Sequence, residues 1–368
     1  MRFVYPVAQF PRNKRHLVDL NEAANRLYKK IGVLDIASLP ISEYNKHYLG
    51  TYQKDLLRVL QRTLYLLAWS IANDSKPFSD FVFVDYGGGT GFLALLAKEL
   101  GIGNVIYNDI YEVSCQDAQV IANSLELPAD SYLCGDLDDL LNYFDQERIF
   151  CDAVASYDVL EHIYNVELFL CKLSLSTHGP TVICMVSAAN PKNPIISKHL
   201  MQMHLRYEYQ DRSKEPGHKE RDTLQAFYSI RKEIIQNHAT ELGEQEVEIL
   251  ARNTRGKKRE DILVCVDEYK RTKLFPPRPS HPTNTCDPYT GNWQEQLLEL
   301  DWLKGVLRKQ GVTARIINGY YGKSPQYGKN FLGLGLNLFI LGSGKLGLRA
   351  APYFILYGTR NACMQGKR

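Results

Sequence analysis

The sequence predicts an α/β protein with a seven-stranded, mostly parallel sheet and helices on both faces. Three observations predict this fold. Phe81–Val84 is a short apolar run with two valines, typical of a strand buried on both faces. Glycines follow at alternate positions, at Gly87, Gly89 and Gly91. Further short apolar runs then alternate with helical patterns, which is the arrangement of a right-handed parallel sheet.

The remaining elements follow in order along the chain. Phe92–Leu100 has leucine and alanine at helical spacing and predicts a helix directly after the glycines. Tyr111–Leu125 and Trp293–Gln310 also show helical patterns. The later strands are predicted at Asn104–Asn108, Tyr132–Cys134, Cys151–Tyr157, Thr181–Val186, Val312–Tyr321 and Ala351–Gly358.

The chain is expected to contain four segments. These are an N-terminal helical cap (1–78), a nucleotide-binding core (79–190), a large helical insertion after strand 5 (191–292) and a completion of the sheet (293–368). In the cap, Tyr44, Tyr48 and Tyr52 recur every four residues, so they share one face of a helix. The stripe either packs on the core or forms part of a lid over the ligand pocket.

Composition narrows the class of protein. The net charge of +3 over 368 residues gives no reason to expect a nucleic-acid partner. The eight cysteines include no C-x-x-C pair, as expected for reduced thiols in a cytoplasmic protein. The N-terminus lacks the apolar core of a secretory signal, and no apolar run is long enough to span a membrane. We therefore expect a cytoplasmic protein.

The glycine segment predicts a nucleotide-binding corner between a strand and a helix. Glycine lets the backbone approach a ligand closely and adopt a positive φ. The spacing here is G-x-G-x-G, whereas dinucleotide-binding folds have G-x-G-x-x-G. Phe92 and Leu93 follow the last glycine, where a P-loop would have lysine and serine or threonine.

With Asp85 before the turn, this segment resembles motif I of the class I S-adenosylmethionine (SAM) methyltransferases. The resemblance implies SAM as the cofactor, with its methionine part above the turn. Asp109 ends the second strand, where a carboxylate can accept two hydrogen bonds from a ribose diol. The resemblance also places Asp136 against the adenine amino group. The cofactor-binding residues expected on this basis are Asp85, Tyr86, Gly87, Gly88, Gly89, Gly91, Asp109, Ile110, Asp136, Leu137, Ser156 and Tyr157.

Candidate catalytic residues follow the fourth strand. If a helix starts at Asp158, then Glu161 and His162 share a face with it. The string resembles the Glu-His element of small-molecule O-methyltransferases of the ubiquinone-biosynthesis type, in which the histidine is a candidate base. We expect His162 to be the general base, with Glu161 and Asp158 beside it and no metal. The alternative is that this string shapes the cofactor site without taking part in the chemistry.

The resemblance implies a SAM-dependent methyltransferase, with O-methylation of a small molecule or saccharide as the leading hypothesis. N- or C-methylation of another metabolite, or a non-catalytic SAM-binding scaffold, are the alternatives. Ser156-Tyr-Asp-Val stands where many amino-methylating enzymes have Asn/Asp-Pro-Pro-Tyr, which argues against their targets. The insertion is expected to recognise the acceptor.

One further segment, Asn330–Leu348, is apolar almost all round. It predicts either a buried helix or dimer contact, or a surface for a lipid-linked or membrane-resident acceptor. The oligomeric state is left open.

Overall fold

The chain folds into two compact units in the computed structural model, which describes residue 3 and residues 14–72, 76–214, 223–323 and 327–360. The sheet unit consists of Met1–Leu160, Glu167–Asn190 and Glu299–Arg368. The helical unit consists of Glu161–Val166 and Pro191–Leu298. The ends of the expected cap and of the expected C-terminal segment, 4–13 and 361–368, lie outside the described residues, as do 215–222 of the insertion.

A seven-stranded mixed sheet organises the sheet unit, which confirms the predicted fold class. Its strands are β1 Val82–Tyr86, β2 Asn104–Asp109, β3 Ser131–Cys134, β4 Ala153–Tyr157, β5 Val182–Ser187, β6 Val312–Asn318 and β7 Phe354–Arg360. Their spatial order is β3-β2-β1-β4-β5-β7-β6. The first five pair in parallel, and β7 runs antiparallel to both β5 and β6.

Thirteen α-helices are found among the described residues. They are α1 Lys14–Gly32, α2 Glu43–Lys54, α3 Leu56–Ser70, α4 Phe92–Leu100, α5 Glu112–Ser124, α6 Leu137–Glu147, α7 Val166–Leu175, α8 Pro194–Tyr209, α9 Phe227–His238, α10 Glu244–Asn253, α11 Arg259–Thr272, α12 Leu300–Lys309 and α13 Tyr327–Gly342. None of the helices in this part of the chain has the length and apolar character needed to cross a bilayer.

The N-terminal helices belong to the core of the sheet unit. α3 is buried along most of its length and packs on β4 and β5. Its Trp69 meets the ring of Tyr357 edge-on at 5.3 Å, and the Arg315 guanidinium lies 4.8 Å from the Trp69 ring. Burial of each large apolar side chain contributes about 1.5–3 kcal/mol. The edge of the sheet that carries β6 and β7 is therefore held by the same apolar core as the parallel strands.

A buried ion pair lies among the helices of the helical unit. The Arg231 guanidinium pairs with the Glu208 carboxylate, and both side chains are almost fully buried. Thr285 Oγ1 donates to Glu208 Oε2 at 2.7 Å, and Arg231 Nε donates to the Ala251 carbonyl at 2.9 Å. Both charges thus have hydrogen bonds that partly offset their removal from water, while Nη1 of Arg231 has no hydrogen-bond partner among the described residues.

The predicted helix Trp293–Gln310 is wrong over its first seven residues, since α12 begins at Leu300. Backbone bonds hold Trp293 in an isolated bridge with Cys286, and its indole Nε1 donates to the Tyr164 carbonyl at 3.0 Å. Glu295 has a φ of +48°, a left-handed conformation that interrupts a helix. Tertiary contacts thus override the helical pattern in this segment.

We predict that Arg231→Leu lowers the free energy of unfolding by about 3–5 kcal/mol, because it leaves Glu208 charged and buried without its partner. The double variant Glu208→Leu/Arg231→Leu should lose much less free energy of unfolding than Arg231→Leu, because no unpaired charge is left buried. Chemical denaturation measures both. Arg252→Leu is the matched control, because Arg252 pairs with Glu248 at the surface and such pairs contribute under about 1 kcal/mol. Equal losses in the single and double variants would contradict the prediction.

Candidate functional site

The glycine turn between β1 and α4 has the conformation that its sequence suggested. Gly87, Gly89 and Gly91 have φ values of +68°, +53° and +76°, which other residues adopt only with strain. A Cβ at Gly88 would lie 2.5 Å from the ring of Tyr107, so this position also has no room for a side chain. By contrast, nothing lies within 4 Å of the Cβ position of Gly89. The turn therefore leaves open space beside Gly89.

Asp109 at the end of β2 holds this turn. Its Oδ2 accepts a hydrogen bond from the Gly89 N–H at 2.9 Å, and its Oδ1 accepts one from the Tyr111 N–H at 2.8 Å. The Tyr107 hydroxyl donates to the Gly89 carbonyl at 2.7 Å. A carboxylate has about four lone-pair positions, so these two bonds leave capacity for further donors. Two hydroxyls of a ligand would suit that capacity.

Asp85 lies at the end of β1 and is buried. Its Oδ2 accepts a hydrogen bond from the Ala94 N–H at 3.0 Å, in the first turn of α4. Burial, together with a smaller effect of the nearby Asp109 charge, raises the pKa of Asp85 to about 7, although the Ala94 N–H opposes the shift. Asp85 therefore anchors α4 and titrates near neutral pH.

The remaining expected cofactor residues stand at or just after strand ends. Asp136 caps α6, because its Oδ1 accepts from the Asp138 and Asp139 N–H groups at 2.8 and 3.3 Å. This cap gives Asp136 a structural role whether or not a ligand binds. Tyr86 packs on Phe169 with ring centroids 5.2 Å apart. Leu137 is buried, whereas Ile110 is largely exposed.

Two buried hydroxyls at this edge of the sheet fit a polar ligand. Ser156 Oγ, next to the end of β4, and Thr90 Oγ1, in the glycine turn, have no hydrogen-bond partner among the described residues. Buried polar groups normally have partners, so unpaired ones need an explanation. Together with the open space at Gly89 and the spare acceptors of Asp109, they fit the polar adenosyl and methionyl parts of SAM.

Asp158 is engaged in an ion pair that sequence reasoning missed. Its carboxylate pairs with Arg62 of α3 and accepts the Ala188 N–H at 2.8 Å. The Arg62 guanidinium lies over the rings of Tyr157 and Tyr353, at 4.3 and 4.6 Å. Arg62 thus joins α3 to the ends of β4 and β5. Sequence spacing showed Arg62 only as one polar residue on an otherwise leucine-rich helix.

No helix starts at Asp158, so the condition for the shared face is not met. Asp158 has a φ of +55°, and only a short 3-10 helix follows, over Leu160–His162. The shared helical face expected for Asp158, Glu161 and His162 therefore does not form. Its physical cause is the ion pair with Arg62 and the bond to Ala188, which fix Asp158 in a left-handed turn.

In the helical unit, His162 has the hydrogen bonding of an oriented imidazole. Its Nδ1 lies 2.8 Å from the Trp293 carbonyl, which can only accept, so Nδ1 carries the proton. In the neutral ring, Nε2 is then the basic nitrogen, and it lies 3.6 Å from Glu295 Oε1. About a third of the side chain is exposed. Glu161 beside it is fully buried, and its carbonyl accepts from the Gln296 N–H at 3.1 Å.

The tyrosine stripe lies on α2 and reaches the residues that follow the glycine turn. Tyr44, Tyr48 and Tyr52 form a ladder with centroid distances of 4.9 and 6.4 Å. Tyr52 meets Phe92 edge-on at 5.4 Å, and Tyr44 meets Tyr111 edge-on at 5.8 Å. The stripe therefore packs on the start of α4 and on the N-cap of α5, next to Gly91 and Asp109 in sequence.

A polar cluster on α5 fixes the start of α2, and sequence reasoning missed it. Asp117 Oδ2 accepts from the Ser42 N–H at 3.1 Å, from the Ser42 hydroxyl and from Asn45 Nδ2 at 2.8 Å. Ser42 also caps α2 by accepting the Asn45 N–H. The available signal was an acidic residue among the small and apolar residues of α5.

We predict that Asp85 makes stability fall as pH rises. Its pKa is about 7 when folded and near 3.9 when unfolded, so the fold favours the protonated form. The contribution of Asp85 to the free energy of unfolding is therefore lost between about pH 4 and 7 and is at most ~4 kcal/mol. Denaturation of the ligand-free protein across this range should show a flatter profile for Asp85→Asn. The exposed control Asp80→Asn should keep the profile of the unmodified protein, and an unchanged Asp85→Asn profile would contradict the assignment.

Comparison with known proteins identifies the segment that carries this site. Residues 84–175 match a family model described as a methyltransferase domain. No curated protein matches the sequence. Among solved structures, the chain is similar to a magnesium protoporphyrin IX methyltransferase from Synechocystis PCC 6803 with bound S-adenosylhomocysteine (SAH). The identity is 14%, the match covers 86% of this chain and 93% of the other, and the TM-score is 0.39.

Two further solved structures are similar to this chain to about the same degree. The plantazolicin methyltransferase BpumL in complex with SAH is 14% identical, over 93% of this chain and 99% of the other, with a TM-score of 0.38. A putative SAM-dependent methyltransferase from Listeria monocytogenes is 10% identical, over 82% and 96%, also with a TM-score of 0.38. The family match coincides with the turn, with Asp109 and with the strands that present them. The segment 84–175 is therefore similar to a methyltransferase domain.

Proposed function

We propose that this protein is a SAM-dependent O-methyltransferase that acts on a small molecule or a saccharide. The observation that carries the proposal is the clamp of Asp109 and Tyr107 on Gly89, with open space beside the glycine. When bound, SAM supplies both the methyl group and its own leaving group. The protein then has to bind the cofactor, position the acceptor and remove the acceptor's proton.

The binding of the cofactor is assigned to the strand ends of the sheet unit. Asp109 accepts the ribose hydroxyls with the acceptor positions that the two backbone bonds leave over. The cap of α6 uses Oδ1 of Asp136, so we assign its Oδ2 to the adenine amino group. Asp85 supports the turn through α4. The backbone and neighbouring side chains complete the proposed set: Tyr86, Gly87, Gly88, Gly89, Gly91, Ile110, Leu137, Ser156 and Tyr157.

His162 is the proposed general base. The Trp293 carbonyl holds the Nδ1 proton, so Nε2 has the lone pair that takes the proton of an acceptor hydroxyl. The Glu295 carboxylate, 3.6 Å from Nε2, would stabilise the imidazolium that results. We assign positioning roles to the other two catalytic candidates. Asp158 acts through its pair with Arg62, and the fully buried Glu161 precedes His162 in the same short helix.

Cofactor binding is tested by calorimetry of the full chain with SAH. Asp109→Asn should weaken binding about 10–100-fold, because hydrogen bonds to a charged group contribute roughly 1.5–3 kcal/mol each. Glu112→Gln is the matched control, since Glu112 is exposed in the first turn of α5. Thermal denaturation of both variants separates lost binding from lost folding. If folded Asp109→Asn binds SAH as tightly as the unmodified protein, the assigned site is wrong.

The proposed base is tested by turnover with SAM against a panel of phenols, carboxylic acids, sugars and amines. His162→Gln should lower kcat about 10²–10⁴-fold on the best hydroxyl acceptor while SAH binding stays unchanged. His178→Gln is the control, because His178 is a partly exposed histidine that pairs with Asp145.

Other outcomes of the same panel decide between the alternatives. Turnover of amines alone would replace O-methylation by N-methylation. SAH binding without turnover of any acceptor would favour a scaffold. An unchanged rate in His162→Gln would remove the histidine from the mechanism.

A further inference from the structure

Helix α13 has the reverse of the usual arrangement of a surface helix. Its inward stripe contains Gly333, Asn337 and Ile340. The one polar side chain of this stripe is held inside the protein: Asn337 Oδ1 accepts the Tyr321 N–H and its Nδ2 donates to the Tyr321 carbonyl, both at 2.9 Å. A helix on a water-facing surface normally directs its polar residues outward and its apolar residues inward.

The outward side of α13 is apolar. Large hydrophobic side chains there are between 40% and 82% exposed, and one more follows in the adjoining 3-10 helix Gly344–Arg349. The α13 face consists of Phe331, Leu332, Leu334, Leu338, Phe339, Leu341 and Leu346. Continuous apolar surface of this kind marks a binding surface rather than a face for water.

The charged residues that neighbour the α13 face along the sequence are basic. No acidic residue follows Asp301 in the sequence. Lys345 and Arg349 are exposed in the 3-10 helix that adjoins the face. A two-fold dimer through this face would bring two copies of the same positive surface together. An anionic lipid surface supplies both the apolar interior and the opposite charge.

The α13 face is held firmly at the carboxyl edge of the sheet. Asn190, after β5, donates to the Leu348 and Ala351 carbonyls, both at 2.9 Å. Asn318, the last residue of β6, donates to the Gly344 carbonyl at 3.0 Å. β6 ends where β5 ends, because Asn318 and the last residue of β5 both pair with Phe354. This is also the edge at which the glycine turn follows β1.

We propose that the α13 face lies in the interface of an anionic bilayer and holds the carboxyl edge of the sheet toward the membrane. Phenylalanine and leucine enter the boundary of the acyl chains, while Lys345 and Arg349 meet the headgroups. The sixteen residues of α13 lie along the surface. This inference does not depend on the methyl-transfer proposal.

Vesicle co-sedimentation of the full chain tests the proposal. The protein should bind vesicles of phosphatidylcholine with phosphatidylglycerol, bind much less to phosphatidylcholine alone, and be released by salt. Leu338→Ser/Phe339→Ser should lower the partition at least about 10-fold, since two exposed apolar groups no longer enter the bilayer. Val33→Ser/Leu274→Ser is the matched control, with apolar residues that lie elsewhere and are even more exposed, and should bind normally.

Two further variants make the test independent of any folding defect. Lys345→Glu/Arg349→Glu should lower binding to the anionic vesicles about 10-fold or more while keeping the apolar face. Leu338→Trp should show a blue shift of its added fluorescence only when anionic vesicles are present.

Three results would overturn the proposal. These are no binding of the unmodified protein to anionic vesicles, equal binding by the α13 and control variants, or a dimer that Leu338→Ser/Phe339→Ser dissociates in the absence of vesicle binding. The last result would make the face a contact between two copies. SAH binding and its loss in Asp109→Asn are measured without lipid, so the two proposals fail separately.

Discussion

Gly89 is held from both sides by the end of β2, through the Asp109 carboxylate at its N–H and the Tyr107 hydroxyl at its carbonyl. The second Asp109 oxygen holds the Tyr111 N–H, so one buried side chain joins the glycine turn to the start of α5. The tyrosine ladder of α2 packs on Phe92, the first residue of α4, and on Tyr111, the N-cap of α5. Loss of the Asp109 carboxylate would therefore release the turn, the entry to α5 and the support of α2 together.

Much of the fold could be predicted because its signals are local. Short apolar runs gave all seven strands, and glycines on either side of Phe92–Leu100 gave the bounds of α4. The start of α12 could not be found this way. The leucine spacing of Trp293–Gln310 suits a helix, but the bridge to Cys286 and the bond from the Trp293 indole to Tyr164 are long-range contacts that spacing does not encode.

Some features of the candidate site could likewise be predicted from local sequence signals, whereas others could not. The G-x-G-x-G spacing and Asp109 are readable because a strand end and a turn fix them locally. Arg62 is 96 residues away from its partner Asp158, and Asp117 is 75 residues from Ser42, so neither pair leaves a local signal. The helix that a shared face of Asp158 and His162 requires does not form for this reason, since a distant arginine pairs with Asp158 in its left-handed conformation.

Amide hydrogen exchange of the full chain with and without SAH tests the central claim most directly. If the clamp on Gly89 forms the cofactor site, SAH should slow exchange in the peptides that span 85–94 and 107–115, while α12 in the same unit stays unchanged. Absence of protection in both of these peptides at saturating SAH, or protection confined to other segments, would contradict the account.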